Sequence, residues 1–202
     1  MTVAVLPHLP YSEASARAAY NAGKEVIVHM PMEALNGDLD PGPGAIRTGD
    51  SRQMVQDKTT AAFATIPYAV GANNHMGSRI TEDYTYMKHF FEAMQQLDSG
   101  LFFFDSRTTA RSVAAQTAVN MGIPTVERDI FLDNEDNRSA IMAAIEDSKQ
   151  LAAKRGYAVM IGHVWSNELG KIITELYPEL MEEGYRLGTL TELIDNFAEV
   201  NR

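Results

Sequence analysis

The chain has 202 residues, of which 45% are hydrophobic and 22% charged, a balance typical of a globular protein with one sizeable core. Its formal net charge of −10 opposes binding to the phosphate backbone of nucleic acids and to anionic lipid surfaces. Cysteine is absent, which excludes disulfides, thiolate metal sites and cysteine nucleophiles, so a transition-metal site would need histidine and carboxylate ligands.

Short apolar runs alternate with longer helical patterns along the chain. Seven runs predict strands, the last one weakly: 3–6, 25–29, 69–72, 101–104, 125–127, 158–161 and 185–188. Helices are predicted between them at 11–22, 51–65, 82–98, 109–121, 137–155, 166–182 and 190–199. Most of the strands are apolar on both faces, which is typical of a parallel sheet covered by helices.

Two architectures fit this alternation, a closed (β/α) barrel and an open doubly wound sheet. The glycine-rich signatures of nucleotide-binding open sheets do not occur in the sequence. We therefore predict a single α/β domain over residues 1–202, a distorted (β/α) barrel of about seven mostly parallel strands. The segment 34–50 is rich in glycine, proline and aspartate and predicts a long loop, either functional or disordered.

Chemistry-bearing side chains follow the predicted strands. His29 ends the second strand, His75 follows the third, Asp105 ends the fourth and His163 follows the sixth. In a barrel, the carboxyl ends of the strands converge on one face, which holds the active site. The sequence therefore predicts that these four side chains share a pocket.

Neutral imidazoles suit Zn²⁺ and similar divalent ions, and a hydrolytic site needs three protein ligands with one position open for water. His29 and His75 are predicted as two of these ligands. Glu33 is a candidate third ligand, but residues i and i+4 of an extended strand lie about 13 Å apart. Both His29 and Glu33 could bind one ion only if the chain turns near Pro31.

Several motifs, in order over nearly the whole chain, resemble the divergent polysaccharide deacetylases. They are Glu25-Val-Ile-Val-His29-Met-Pro-Met-Glu33, Asp40-Pro-Gly-Pro-Gly-Ala45, Asn73-Asn-His-Met-Gly-Ser78, Phe104-Asp-Ser-Arg-Thr108, Arg128-Asp-Ile-Phe-Leu-Asp-Asn134 and Ile161-Gly-His163. The resemblance implies a distorted barrel of parallel strands, a divalent metal, commonly zinc, and removal of acetyl groups from amino sugars of a polysaccharide. It also implies action outside the cytoplasm or at the cell envelope.

The resemblance carries roles to individual residues. His29 resembles the first histidine of the superfamily's H-x-x-x-H motif, whereas Glu33 stands in place of the second, for which His75 is the candidate replacement. Asp105 resembles a strand-end aspartate, and His163 resembles the histidine that acts as general acid. We predict Asp105, His163 and Glu33 as catalytic residues.

The family opens with a strand ending in an Asp-Asp pair that supplies a metal ligand and a general base. No aspartate precedes Asp38 here. Either an upstream segment supplies that pair or the chain is catalytically incomplete, and we expect the natural protein to extend upstream of Met1 by a strand ending in Asp. Direct pairing of strand 3–6 with strand 185–188 in a closed sheet would contradict that expectation.

Polar residues near the strand ends are predicted to contact substrate: Asn74, Arg79, Arg107, Arg128 and Asp129. Two alternatives to deacetylation stay open. A glycosidase would use two carboxylates, for which Asp105 and Asp129 are the candidates. A carbohydrate-binding or regulatory domain without catalysis would keep the barrel. Trp165 could stack on a sugar ring, or it could be an ordinary packed aromatic side chain. No apolar run approaches the ~20 residues of a membrane span, so none is expected.

Overall fold

A computed structural model describes residues 1–197 and shows strands alternating with helices. The strands are β1 (Thr2–Val5), β2 (Glu25–Met32), β3 (Ala69–Met76), β4 (Phe102–Asp105), β5 (Thr125–Glu127), β6 (Ile130–Phe131) and β7 (Met160–Ile161). The helices are α1 (Ser12–Asn21), α2 (Arg52–Thr65), α3 (Tyr84–Leu97), α4 (Ala114–Asn120), α5 (Arg138–Arg155), α6 (Asn167–Glu182) and α7 (Leu190–Phe197). The pairings β1–β2, β2–β3, β3–β4 and β6–β7 are parallel, which confirms the predicted α/β class.

The described residues separate into two compact units. The first comprises Met1–Val126 and the described residues from Gly188 onward, and the second comprises Glu127–Leu187. The first unit holds a five-stranded sheet in the order β1-β2-β3-β4-β5. Strands that are neighbours both in sequence and in the sheet are what consecutive β-α-β units produce, and this order is consistent with a distorted barrel. The second unit holds the β6–β7 pair with α5 and α6. The predicted single domain over 1–202 stays a prediction.

The core of the first unit explains why its strands are apolar on both faces. Ile27, on one face of β2, and Val28 and Met30, on the other, are almost completely buried. Phe90 and Phe91 of α3 pack on Phe103 of β4 with ring centroids 5.8 and 5.0 Å apart. Such edge-to-face packing adds about 0.5–1.5 kcal/mol per pair to the burial of the rings. The sheet that carries β2, β3 and β4 is therefore a rigid support for whatever follows its strands.

Strand β2 is longer than predicted and does not turn at Pro31. It stays paired with β3 to its last residue, with Pro31 opposite His75. β1 pairs only with Glu25–Val28 of β2. Beyond Val28, the loop 34–50 lies beside β2 where β1 has ended, since Ile46 N donates to Pro31 O and Glu33 N donates to Ile46 O. The turn that would bring His29 and Glu33 onto one ion is absent from this part of the described chain. The segment 34–50 thus has an ordered anchor on β2.

Helix starts follow from capping side chains in the sequence. Ser51, Asn137 and Ser166 each accept a hydrogen bond from a backbone N–H in the first turn of α2, α5 and α6, and Asp83 does the same for α3. Within residues 1–197, none of the helices combines the length and the apolarity that crossing a bilayer requires.

The predicted strand 185–188 is wrong, because these residues form the connection to α7. A capping box starts that helix: Thr189 N donates to Glu192 Oε2, and Glu192 N donates to Thr189 Oγ1. Leu190 N also donates to Thr2 Oγ1 and Glu25 Oε1, each at 3.0 Å. Strand β1 therefore does not pair with a strand at 185–188. Residues 198–199 of the predicted last helix lie outside the described part.

The predicted helix 109–121 begins only at Ala114. The residues before it form a loop, in which the Ser112 hydroxyl donates to Asp105 at 2.6 Å. The two-residue strand β6 was too short to be visible as an apolar run.

Candidate functional site

Two histidines meet on neighbouring strands of the first unit. His29 lies opposite Asn73 in the β2–β3 register, and His75 lies two residues further along β3. The Nδ1 atom of His75 is 3.0 Å from Nε2 of His29, and the rings pack edge to face with centroids 4.8 Å apart. Both side chains are partly exposed. The regular strand spacing thus places two imidazole nitrogens within bonding distance of one point.

A chain of buried amides fixes the tautomer of His29. The Ser106 hydroxyl donates to Asn74 O, so its oxygen accepts from Asn73 Nδ2 at 3.0 Å. Asn73 Oδ1 therefore faces the 2.8 Å contact with His29 Nδ1, which must carry the hydrogen. A lone pair consequently lies on Nε2 of the neutral His29 ring, on the side of His75. This is the arrangement in which a supporting hydrogen bond orients a metal-binding histidine.

Asp105 ends β4 as predicted and is completely buried. Its Oδ1 accepts from Arg107 N at 2.8 Å, and its Oδ2 accepts from the Ser112 hydroxyl at 2.6 Å. These contacts hold the loop between β4 and α4 in place. The catalytic role of Asp105 stays a prediction, whereas its role as a loop anchor is visible.

Two non-glycine residues at or just after the ends of β3 and β4 have an unusual backbone conformation. Met76 and Arg107 have φ values of 53° and 46°, in the left-handed region that non-glycine residues avoid. Asn74 is buried between these two turns, donates to Met76 O and accepts from Ser106 N. Left-handed residues held by such contacts are frequent beside functional sites. Asn74 therefore braces the site, and its predicted contact with substrate stays a prediction.

The Glu33 side chain contacts the 34–50 loop and Arg79 rather than other candidate metal ligands. Its Oε2 accepts from Thr48 N at 2.5 Å, and its Oε1 lies 3.3 Å from Arg79 Nε. Partial burial works to raise the pKa of Glu33, but the hydrogen bonding with Thr48 and the charges of Arg79 and Arg47 outweigh it and hold the pKa below its usual value. Glu33 and Arg79 thus anchor the 34–50 loop, and their catalytic and substrate roles stay predictions.

His163 lies in the second unit beside a buried carboxylate. Its Nδ1 is 3.1 Å from Asp133 Oδ1, and its backbone N donates to Asp133 Oδ2 at 2.8 Å. The Asp133 side chain is fully buried, whereas the His163 side chain is 41% exposed. Because a carboxylate can only accept hydrogen bonds, Nδ1 of His163 must carry the hydrogen of this contact. Nε2 is then the ring nitrogen that remains to exchange a proton. We call these two residues the His163–Asp133 pair.

The other predicted residues of the second unit have structural contacts. Arg128 stacks over the Phe131 ring at 4.6 Å. Asp129 accepts from Val159 N and forms an ion pair with Arg155, which joins the start of β7 to the end of α5. No observation in the described chain favours the glycosidase alternative based on Asp105 and Asp129, since both carboxylates hold backbone in place.

The sequence prediction did not include Asn73, Ser106 or Asp133 among the site residues. A signal existed for the first, because two asparagines interrupt an apolar strand immediately before His75. Buried amides in a strand need partners. The link between Asp133 and His163 joins residues 30 positions apart and has no signature in sequence spacing.

The histidine pair fits part of a metal site. Two nitrogens bound to one tetrahedral Zn²⁺ at 2.0–2.1 Å lie roughly 3.3 Å apart, close to the observed 3.0 Å. His29 and His75 could therefore each supply one ligand nitrogen. Among residues 1–197, however, no group of three or more histidine or acidic side chains is arranged to hold a metal ion.

Two curated proteins of bacterial origin are similar in sequence to this chain. The chain is 33% identical over 169 residues to an uncharacterized Haemophilus influenzae protein, covering 84% of this chain and 59% of that protein. It is 33% identical over 164 residues to the uncharacterized Escherichia coli protein YibQ, covering 81% and 50% respectively. The chain thus spans between half and three fifths of the length of these relatives.

Solved structures show the same fold. The uncharacterized Agrobacterium tumefaciens protein ATU2773 matches with a TM-score of 0.87 at 20% identity, over 96% of this chain and 78% of that one. A lactam utilization protein from Thermus thermophilus matches with a TM-score of 0.57 at 15% identity, over 88% and 81%. The family model "Divergent polysaccharide deacetylase" matches residues 1–194. The chain therefore belongs to the divergent polysaccharide deacetylase family.

Proposed function

We propose that this chain contributes to a metal-dependent hydrolase that removes acetyl groups from a carbohydrate, a polysaccharide or amino-sugar polymer. The observation that carries the proposal is the pair of imidazole nitrogens of His29 and His75, 3.0 Å apart, with His29 oriented by Asn73. Family membership supplies the substrate class. Action at the cell envelope is part of the same proposal.

In this proposal a divalent metal, most simply Zn²⁺, would polarise the acetyl carbonyl and acidify a bound water. His29 Nε2 and His75 Nδ1 would hold it. Asn73 keeps the hydrogen of His29 on Nδ1, so the nitrogen facing His75 keeps its lone pair. Binding would end the hydrogen bond between the two rings and leave the His75 hydrogen on Nε2.

His163 is the proposed proton donor to the leaving amine or alkoxide. Asp133 orients its ring through Nδ1, which leaves Nε2 as the nitrogen that can exchange a proton with the leaving group. The ring is partly exposed, so Nε2 can meet a substrate atom. Arg79, Arg107 and Arg128 would contact acidic or polar substrate groups.

One observation favours a second candidate, a carbohydrate-binding domain without catalysis. Two neutral nitrogens leave the charge of Zn²⁺ uncompensated, and no third ligand accompanies them in the described residues. Such a site would bind metal weakly. The chain would then keep the family's fold and a sugar-binding surface but would not catalyse deacetylation.

Acetate release separates the two candidates. The full chain would be incubated with N-acetylated chitin oligomers or O-acetylated xylan oligomers, with added Zn²⁺ or with a chelator. We expect zinc-dependent acetate release that His163→Ala abolishes and His89→Ala, a histidine change on α3, does not. Saccharide binding without acetate release from either oligomer would instead support the binding domain.

A further inference from the structure

An exposed aromatic side chain follows the His163–Asp133 pair. Trp165 is 62% exposed and Val164 is 97% exposed. The indole stacks on the His163 ring, with centroids 5.0 Å apart and planes 23° from parallel. His163 also stacks on Phe131 at 5.5 Å and 17°. The stack fixes the indole plane and leaves the remainder of its surface in solvent.

Val164 and Ser166, which flank Trp165 in the chain, line one open cleft of about 480 Å³, whereas Trp165 itself is not among its lining residues. Asn167, Lys171 and Thr174 follow each other at helical spacing along α6 and line the same cleft with Glu175. Asn167 to Glu175 spans roughly 12 Å of helix at 1.5 Å per residue. In the described part of the chain, no carboxylate lies within ion-pair distance of Lys171, whereas Glu175 pairs with Arg138 at 2.7 Å. The cleft thus offers an amide, an ammonium, a hydroxyl and a carboxylate in a row.

We propose that Trp165 and this face of α6 form a binding subsite for a neutral pyranose oligosaccharide. One face of a pyranose carries mainly C–H bonds, which pack on the electron-rich face of an indole. Its hydroxyls both donate and accept, as the side chains of the cleft do. A nucleic acid is disfavoured by the net charge of −10.

This inference deepens the proposed carbohydrate function and rests on it for the class of ligand. It assigns substrate contact to residues outside the metal-binding histidines. A bound sugar ring on Trp165 would lie beside His163, the proposed proton donor.

Trp165 is the only tryptophan of the chain, so its fluorescence reports on this subsite alone. The full chain would be titrated with penta-N-acetylglucosamine, with calorimetry and acrylamide quenching read in parallel. At saturation we expect acrylamide quenching to fall at least about twofold, because the sugar covers the indole. By calorimetry, Trp165→Ala should weaken binding about tenfold or more, the size of a ring-stacking contact, and Trp165→Phe should weaken it less.

Tyr84→Ala is the matched control, an aromatic side chain that is 53% exposed at the start of α3, and it should bind as the wild type does. Unchanged quenching at saturation, wild-type affinity in Trp165→Ala, or no binding at millimolar sugar would each overturn the subsite. The titration is repeated in chelator and with His29→Ala, where protection of Trp165 should persist. A failure of the metal proposal would therefore leave this result standing, and a zinc-binding protein with an unprotected indole would contradict the subsite alone.

Discussion

The His29–His75 pair and the His163–Asp133 pair each contain a histidine whose Nδ1 contacts another side chain, but the chemistry of that side chain differs. His29 is held by a neutral amide, Asn73, at 2.8 Å, whereas His163 is held by a buried carboxylate, Asp133, at 3.1 Å. A neutral acceptor fixes the tautomer without adding charge, which suits a ring that must stay unprotonated to bind a metal. A buried carboxylate places a negative charge beside the ring and holds one tautomer, as in Ser-His-Asp triads, where the histidine transfers protons. The partner of Nδ1 therefore distinguishes the two proposed roles.

The two pairs also differ in the structure that carries them. His29 and His75 stand on eight-residue strands within a five-stranded sheet. His163 follows a two-residue strand paired only with β6 in the described chain. Rigid strands are the better support for metal ligands, whose geometry is demanding.

The largest effect should come from Asp133→Asn, which keeps the shape of the side chain but removes its charge. Without the carboxylate, His163 loses the negatively charged acceptor that orients its ring, and acetate release should fall by roughly 10²–10⁴-fold in kcat, the range of general acid catalysis. Zinc content should not change. Asp147→Asn, an exposed change on α5, is the control. Equal loss of zinc and activity would contradict the separation of roles.

A smaller effect is expected from Asn73→Ala, which removes the acceptor of His29 Nδ1–H. Loss of such a supporting partner lowers metal affinity by about 10–100-fold. Asn73→Asp keeps an acceptor oxygen and should bind zinc within a few-fold of the wild type. Isothermal titration with Zn²⁺ measures both, with Asn120→Ala on α4 as the control. If Ala and Asp behave alike, Asn73 does not position His29.

The smallest effect should come from Glu33→Gln. Because the pKa of Glu33 is lowered in the folded chain, its charged form stabilises the fold above the unfolded-state pKa, and this contribution is lost as pH falls through the folded-state pKa. At pH 7 we expect a loss of about 1 kcal/mol, or about 2–4 °C in Tm for a chain of this size. The difference from the wild type should vanish in acid. Glu182→Gln, on the exposed end of α6, should show no such pH-dependent difference.

The sequence predicted the elements well where a single local rule decides them. The apolar run of β2, the bounds of α2 and α5 and the histidines at strand ends were all visible from spacing and composition. The prediction failed at 185–188, where an apolar-looking run serves as the lead into a capping box that contacts Thr2 and Glu25. Contacts between residues far apart in sequence decide such segments.

The candidate site was predictable only in part for the same reason. Histidines that follow strands can be identified from one sequence, but the side chains that hydrogen-bond to them and orient them are distant in sequence. Asn73 reaches His29 across 44 positions, and Ser106 reaches Asn73 across 33. Glu33 looked like a ligand in the motif, yet β2 stays extended through Pro31 and turns its carboxylate to Arg79.

The most direct test of the account is a zinc titration of the full chain by calorimetry near pH 7, comparing the wild type with His29→Ala and His75→Ala. His8→Ala is the control, since His8 is exposed and its ring contacts Thr65. We predict one zinc ion per chain for the wild type and for His8→Ala, with affinity at least about 100-fold lower in either other variant. Wild-type zinc binding in both His29→Ala and His75→Ala, or no zinc binding by the wild type, would contradict the account.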